Sequence, residues 1–228
     1  LRTSGLTQPD VPAIAGEGET VSWQSFGARS DRIAAALRTA GVGLGDRVAI
    51  LMGSTPIFPV LVAGILKAGG SAVPMPTLVS PDTIALMLAD SGARVLFVSR
   101  AYRHLVPRDA DAESALRVAL DFTEPVFDTL DAFCARSDAH AARVSVSPSD
   151  EFNVIYSSGT TGRPKGIIHS HRLRAMSSIG MGRIGFPPGA RTLIATAAYS
   201  NWSMGALIYT LWAGGCVRYL EKFSPAAT

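Results

Sequence analysis

The chain has 228 residues, of which 47% are hydrophobic and only 17% charged, with a net charge of +3. That length buries a sizeable core, as one large domain or two small ones, and the composition excludes a disordered chain. Arginines scattered over so small a net charge speak against nucleic-acid binding, and two distant cysteines, Cys134 and Cys216, against a disulfide framework or a zinc site.

Along the chain, helix and strand patterns alternate. Ser25 is expected to cap a helix in which Phe26, Ile33 and Leu37 recur at near-helical spacing, with Gly41 as its stop. The run RVAILM from Arg47 is apolar on both faces, which suits a central parallel strand. STPIFPVLVAGILKAGG predicts a helix with prolines near its first turn and Gly69–Gly70 at its end. SAVPM reads as a strand, SPDTIALMLADSGA as a helix capped by Ser80, and RVLFVS as a strand. Between Ala101 and Asp150 the pattern weakens. A surface excursion is expected there, with a short strand at 116–120, a helix at 126–135, and Pro148 breaking the chain before the strand FNVIY. IIH then reads as a returning strand, HRLRAMSSI as a helix, and RTLIAT with ALIYTLWAGGCVRY as a further strand–helix–strand run. This alternation predicts an α/β fold with mostly parallel sheets flanked by helices.

Residues 192–217 carry no charge and are long enough to span a bilayer. Ser200, Asn201 and Ser203 near the middle divide the stretch into strand, polar turn and helix instead, so no transmembrane segment is expected. No secretory signal opens the chain, and a reducing, cytoplasmic setting is the expectation.

The chemistry gathers in YSSGTTGRPKGIIHSH, from Tyr156 to His171. Gly159, Gly162 and Gly166 let the backbone approach an anion and turn N–H groups towards it. Ser157, Ser158, Thr160 and Thr161 offer hydroxyl donors, and Lys165 brings a full positive charge. The loop is not a Walker A motif, because Pro164 precedes the lysine and Gly166 follows it. It also lacks the G-x-G-x-x-G spacing of a dinucleotide fingerprint. His169 and His171 could share a strand face and hold a metal, but no carboxylate or cysteine cluster accompanies them. The cysteines are most simply buried small hydrophobes.

The run VIYSSGTTGRPKG resembles the phosphate-binding signature of the adenylate-forming superfamily, which includes acyl- and aryl-CoA synthetases, luciferases and the adenylation domains of peptide synthetases. VSWQSFGARSDRIAAALRTAGVGLGDRVAI and LKAGGSAVPMPT are similar to further stretches of that family. The resemblance implies that residues 1–228 form an incomplete N-terminal adenylation domain, whose remainder and small C-terminal domain lie beyond Thr228. It further implies ATP, Mg2+ and coenzyme A as reactants with a fatty or aryl carboxylic acid. An acyl-adenylate forms with release of pyrophosphate, and a thiol then captures the acyl group.

Ser157, Ser158, Gly159, Thr160, Thr161, Gly162 and Lys165 would bind ATP, with Lys165 and Thr160 catalytic. The metal ligands stay unassigned. Tyr199, Asn201 and Trp202, in TAAYSNWSMG, would line the acid pocket, with an ordinary core tryptophan as the alternative for Trp202. His171 would start or cap the following helix. Exposed apolar surface would favour a homodimer. Two other readings stay open: an amino-acid adenylation domain that loads a carrier protein, and a non-catalytic nucleotide-binding module.

Overall fold

A computed structural model describes residues 7–106, 115–137, 144–157, 164–183 and 185–220. Two short strands open it, β1 (Pro12–Ala15) and β2 (Thr20–Ser22), followed by helix α1 (Trp23–Thr39). Ser22, not Ser25, caps α1: its Oγ accepts from the Ser25 amide at 3.2 Å. Trp23 is thereby the first helical residue, and it is buried against the core with Phe26, Ile33 and Leu37. The helix ends as expected, with Gly41 at φ 83°, a left-handed conformation that glycine adopts at little cost.

Strand β3 (Arg47–Leu51), helix α2 (Ile57–Ala68), strand β4 (Ser71–Pro74), helix α3 (Pro81–Ser91) and strand β5 (Val95–Val98) then follow. Ser80 caps α3, and Gly69 ends α2 at φ 92°. Beyond a short 3-10 helix (Arg100–Leu105) come β6 (Leu116–Ala119), β7 (Asp128–Thr129) and α4 (Leu130–Ala135). The segment is therefore more than a surface excursion. β6 pairs in parallel with β5 and buries Val118 and Ala119, and the expected helix at 126–135 is shortened by the two strand residues that pair with β6. The remaining elements are β8 (Glu151–Ser157), β9 (Lys165–Ser170), α5 (His171–Arg183), β10 (Arg191–Ile194), α6 (Asn201–Trp212) and β11 (Cys216–Tyr219).

The strands form a seven-stranded sheet in the order β7-β6-β5-β3-β4-β8-β9 and a four-stranded sheet in the order β10-β11-β1-β2. In the larger sheet only β8–β9 is antiparallel; in the smaller, only β1–β2. The fold is α/β with mostly parallel sheets flanked by helices.

Two cores follow from the period-two alternation of the strands. Val48, Ile50, Val95 and Phe97 pack with Trp23 and Phe26 of α1, with Phe58 and Leu61 of α2, and with Val217 and Tyr219 of the second sheet. Ala49, Leu51, Leu96 and Val98 face the other way, onto Ile84 and Met87 of α3 and onto Phe122 and Phe127. Helix α2 is buried on nearly every face, which accounts for its almost uninterrupted apolar sequence. Its contact with α1 is close enough that a Cβ on Gly64 would lie 2.5 Å from Ile33 Cγ2 and 3.2 Å from the Ser30 carbonyl oxygen.

Candidate functional site

Because β8 runs parallel to β4, its Ser157 end emerges at the carboxyl edge of the sheet, where ligands of open α/β sheets bind. β9 returns antiparallel from there, pairing Lys165 with Ser157, Gly166 with Tyr156 and Ile167 with Ile155. Ser158, Gly159, Thr160, Thr161 and Gly162 lie outside the described residues. Ser157 and Lys165, the two ends of the predicted phosphate loop, are both exposed and directly opposite each other. Among the described residues no carboxylate lies within ion-pair distance of Lys165. The hairpin is anchored from below by Tyr156, whose hydroxyl donates to Asp90 Oδ2 at 2.6 Å. Burial and that carboxylate hold its phenol well above the ordinary tyrosine range.

Gly166 is also a packing position within the hairpin. It lies within β9, and a Cβ there would meet Val154 Cγ1 at 3.0 Å and the Tyr156 ring at 3.4 Å. Close packing across the hairpin leaves little room for a side chain there.

The second candidate segment is held by a chain of hydroxyls. Ser200 caps α6 by accepting from the Ser203 amide at 3.1 Å, and Ser203 Oγ lies 2.6 Å from Thr196 Oγ1. Ser54, in the loop after β3, accepts from the Ala198 amide at 3.0 Å and donates to the Thr196 carbonyl at 3.3 Å. The loop after β3 is thus tied directly to the turn that leads into α6. Tyr199 is half-buried on this turn, while Asn201 and Trp202 are exposed on the first turn of α6. Trp202 is 79% exposed in this chain, so it is no part of the core that the described residues form.

Sequence reasoning missed a buried polar cluster beside this turn. Arg174 of α5 is only 5% exposed, yet among the described residues no carboxylate pairs with it. Its Nε donates to Asn153 Oδ1 and its Nη2 to Asn201 Oδ1, each at 2.9 Å. Burial lowers the guanidinium's pKa, and the Tyr209 hydroxyl offsets part of that. His169 stands opposite Asn153 across the hairpin and is also buried. Its pKa is lowered by burial first and by the charge of Arg174 second. Among the described residues neither Asn153 Nδ2 nor His169 Nδ1 finds a hydrogen-bond partner. The available sequence signal was Asn153 itself, an amide inside the mainly apolar run FNVIY.

His169 and His171 do not share a face. His169 is a strand residue, whereas His171 is the first residue of α5 and packs edge-on against Phe152 with ring centroids 5.1 Å apart. The cap of α5 is Ser170, whose Oγ accepts from the Leu173 amide at 3.2 Å, so His171 starts the helix without capping it. Among the described residues no group of three or more His, Cys, Asp or Glu could hold a metal ion, and none is assigned to magnesium. Cys134 is buried and Cys216 half-buried; both are free, and burial raises both thiol pKa values. Among the described residues no helix is long and apolar enough to cross a membrane.

β8 and β9 thus bring Ser157 and Lys165 together at the carboxyl edge, with no carboxylate near the lysine among the described residues, and this is the candidate phosphate site. The model of the AMP-binding enzyme family matches residues 1–228, and the chain belongs to that adenylate-forming family. It is 31% identical over 191 residues to 3-hydroxybenzoate–CoA/4-hydroxybenzoate–CoA ligase of Thauera aromatica, covering 82% of this chain and 36% of that protein. It is 36% identical over 164 residues to tyrocidine synthase 3 of Brevibacillus parabrevis, covering 72% of this chain and 2% of that one. Its fold matches the inhibitor-bound N-terminal domain of FACL13 from Mycobacterium tuberculosis with a TM-score of 0.86 at 22% identity, over 98% of this chain and 56% of that chain. The chain thus spans little more than a third of the length of the hydroxybenzoate ligase it matches.

Proposed function

We propose that this chain supplies the ATP- and acid-binding part of a carboxylic acid–CoA ligase that works through an acyl-adenylate, with residues 1–228 as the opening part of its adenylation domain. The observation that carries the reading is the β8–β9 hairpin: Lys165, exposed and without a carboxylate partner among the described residues, faces Ser157 across the mouth of the loop. The family match and the hydroxybenzoate–CoA ligase relative support it.

In the first step a carboxylate oxygen attacks the α-phosphorus of ATP. An acyl–phosphate bond forms, the bond to the β-phosphate oxygen breaks, and pyrophosphate leaves. The physical obstacle is an anion approaching a polyanion while negative charge builds on the leaving group. Lys165 and Thr160 would stabilise that charge, with Ser157, Ser158, Thr161 and the N–H groups of Gly159 and Gly162 around the phosphates. Magnesium, when bound with ATP, would neutralise part of the phosphate charge. In the second step the thiol of coenzyme A attacks the acyl carbon and AMP leaves. Tyr199, Asn201 and Trp202 would line the acid pocket.

An amino-acid adenylation domain that loads a carrier protein is the second reading, favoured by the 36% identity to tyrocidine synthase 3. An α-ammonium group needs a carboxylate partner, and the polar cluster next to the candidate acid segment offers a guanidinium instead. That weighs towards an acid without an amino group. Exchange of labelled pyrophosphate into ATP, run on the full-length protein with aryl acids, fatty acids and amino acids, separates the readings. Exchange with amino acids alone favours carrier loading, and no exchange with any acid favours a non-catalytic module. The homodimer expected from the sequence rests on exposed Ile167, Ile168, Leu173 and Met176, and sedimentation velocity tests it.

A further inference from the structure

Among the described residues the guanidinium of Arg174 bonds two side-chain acceptors and meets no carboxylate. A guanidinium carries five N–H donors in a planar fork. The acceptors it has here, Asn153 Oδ1 and Asn201 Oδ1, are neutral amide oxygens. Because Asn153 must present its oxygen to Arg174, its Nδ2 is forced to point elsewhere, and there it is fully buried and unpartnered. His169 Nδ1, on the opposite strand, is unpartnered as well. A buried positive charge beside an idle amide donor suits a planar anion with two oxygens. The carboxylate matches the guanidinium fork in both geometry and charge.

The surroundings indicate where such a group would come from. Asn201, which anchors Arg174 Nη2, is exposed and lies in the candidate acid segment beside Trp202. Asn153 and His169 each lie four residues from the loop ends Ser157 and Lys165, about 13 Å down the hairpin at the usual strand rise. An acid whose reacting carboxylate meets the nucleotide at the loop, and which runs along the hairpin past Asn201, would present its far end to Arg174 over about that span. We infer that Arg174, with Asn153, His169 and Asn201, forms a binding site for a second carboxylate at the distal end of the substrate acid, so that this chain selects dicarboxylic acids. The inference rests on the proposed function for the identity of the ligand; the cluster itself does not depend on it.

The test uses the full-length protein and two readouts. Calorimetric titration without nucleotide compares the dicarboxylates succinate to tetradecanedioate, whose longer members span that distance, with the monocarboxylates butyrate to tetradecanoate, and pyrophosphate exchange compares the same pairs. At least one dicarboxylate is expected to bind at least tenfold more tightly than its monocarboxylate counterpart. Arg174→Gln should bring that ratio close to one. Asn153→Asp, which places an internal carboxylate beside Arg174 at nearly constant volume, should do the same and covers the case in which the first variant fails to fold.

Equal binding of both acid types by the natural protein overturns the inference, as it would if Arg174 were reserved for an Asp or Glu side chain of the same protein. So does a preference that survives both substitutions. A preference seen by calorimetry without exchange on any acid leaves the carboxylate site standing and removes the adenylation reading.

Discussion

Ser157 and Lys165 are paired residue to residue across the β8–β9 ladder, so the lysine is held at a fixed distance from the strand that enters the loop. A cation on a ladder position loses less freedom on binding phosphate than one on a free loop. Lys165→Ala should lower the rate of pyrophosphate exchange roughly 100- to 1,000-fold, the usual effect of removing one group that stabilises charge in the transition state. Its melting temperature should stay unchanged, since the side chain is exposed. Calorimetric melting beside the exchange assay checks both.

Trp202 offers a second separation of function from stability. At 79% exposure it contributes little to the core, so Trp202→Ala should alter stability by no more than about 0.5 kcal/mol. If it lines the acid pocket, the KM for the acid should rise about tenfold while the KM for ATP stays the same. Steady-state exchange kinetics with each reactant varied in turn reads the two constants.

Gly64 is a packing position. In an exposed helix glycine to alanine stabilises, but here the new Cβ would sit 2.5 Å from Ile33 Cγ2 and 3.2 Å from a backbone carbonyl. Overpacking outweighs the helical gain, and Gly64→Ala should destabilise by about 1–3 kcal/mol. Urea unfolding monitored by the buried Trp23 measures it.

Acid should weaken the fold through its histidines. Burial depresses the pKa of both His169 and His171 in the folded protein, while Asp150 pulls His171 partly back up. The unfolded chain therefore binds protons first as pH falls through about 6.5, and stability drops from there until the lower folded-state values are passed. A His169→Leu/His171→Phe double variant should show a shallower fall of melting temperature between about pH 7 and pH 5. Matched melting curves across that range give the difference between the two slopes.

The elements that could be read from sequence were those bounded by their own punctuation. β3, α2, β4, α3 and β5 are apolar runs closed by Gly, Pro or Ser, and each lies where its pattern put it. β1 and β2 escaped notice because four and three residues are too few to show a period. The partner of β1 in the parallel direction, β11, lies at the other end of the chain. The choice of Ser22 over Ser25 as cap was invisible because both serines precede aromatic residues, and the burial of Trp23 decides between them.

The candidate site divides the same way. Its loop was legible as a local motif, and Ser157 and Lys165 lie at that loop's ends. Arg174 was unreadable, because in HRLRAMSS it is one polar residue among several. Only the packing of α5 against β8 and α6 puts that arginine in the interior.

The central claim is that the loop between Ser157 and Lys165 binds the phosphates of ATP, and a crystal structure of the full-length protein with ATP and magnesium tests it most directly. The account predicts the β- and γ-phosphates under that loop, with Lys165 Nζ within hydrogen-bonding distance of their oxygens. Phosphates bound at another edge of the sheet, with Lys165 still facing solvent, would contradict it.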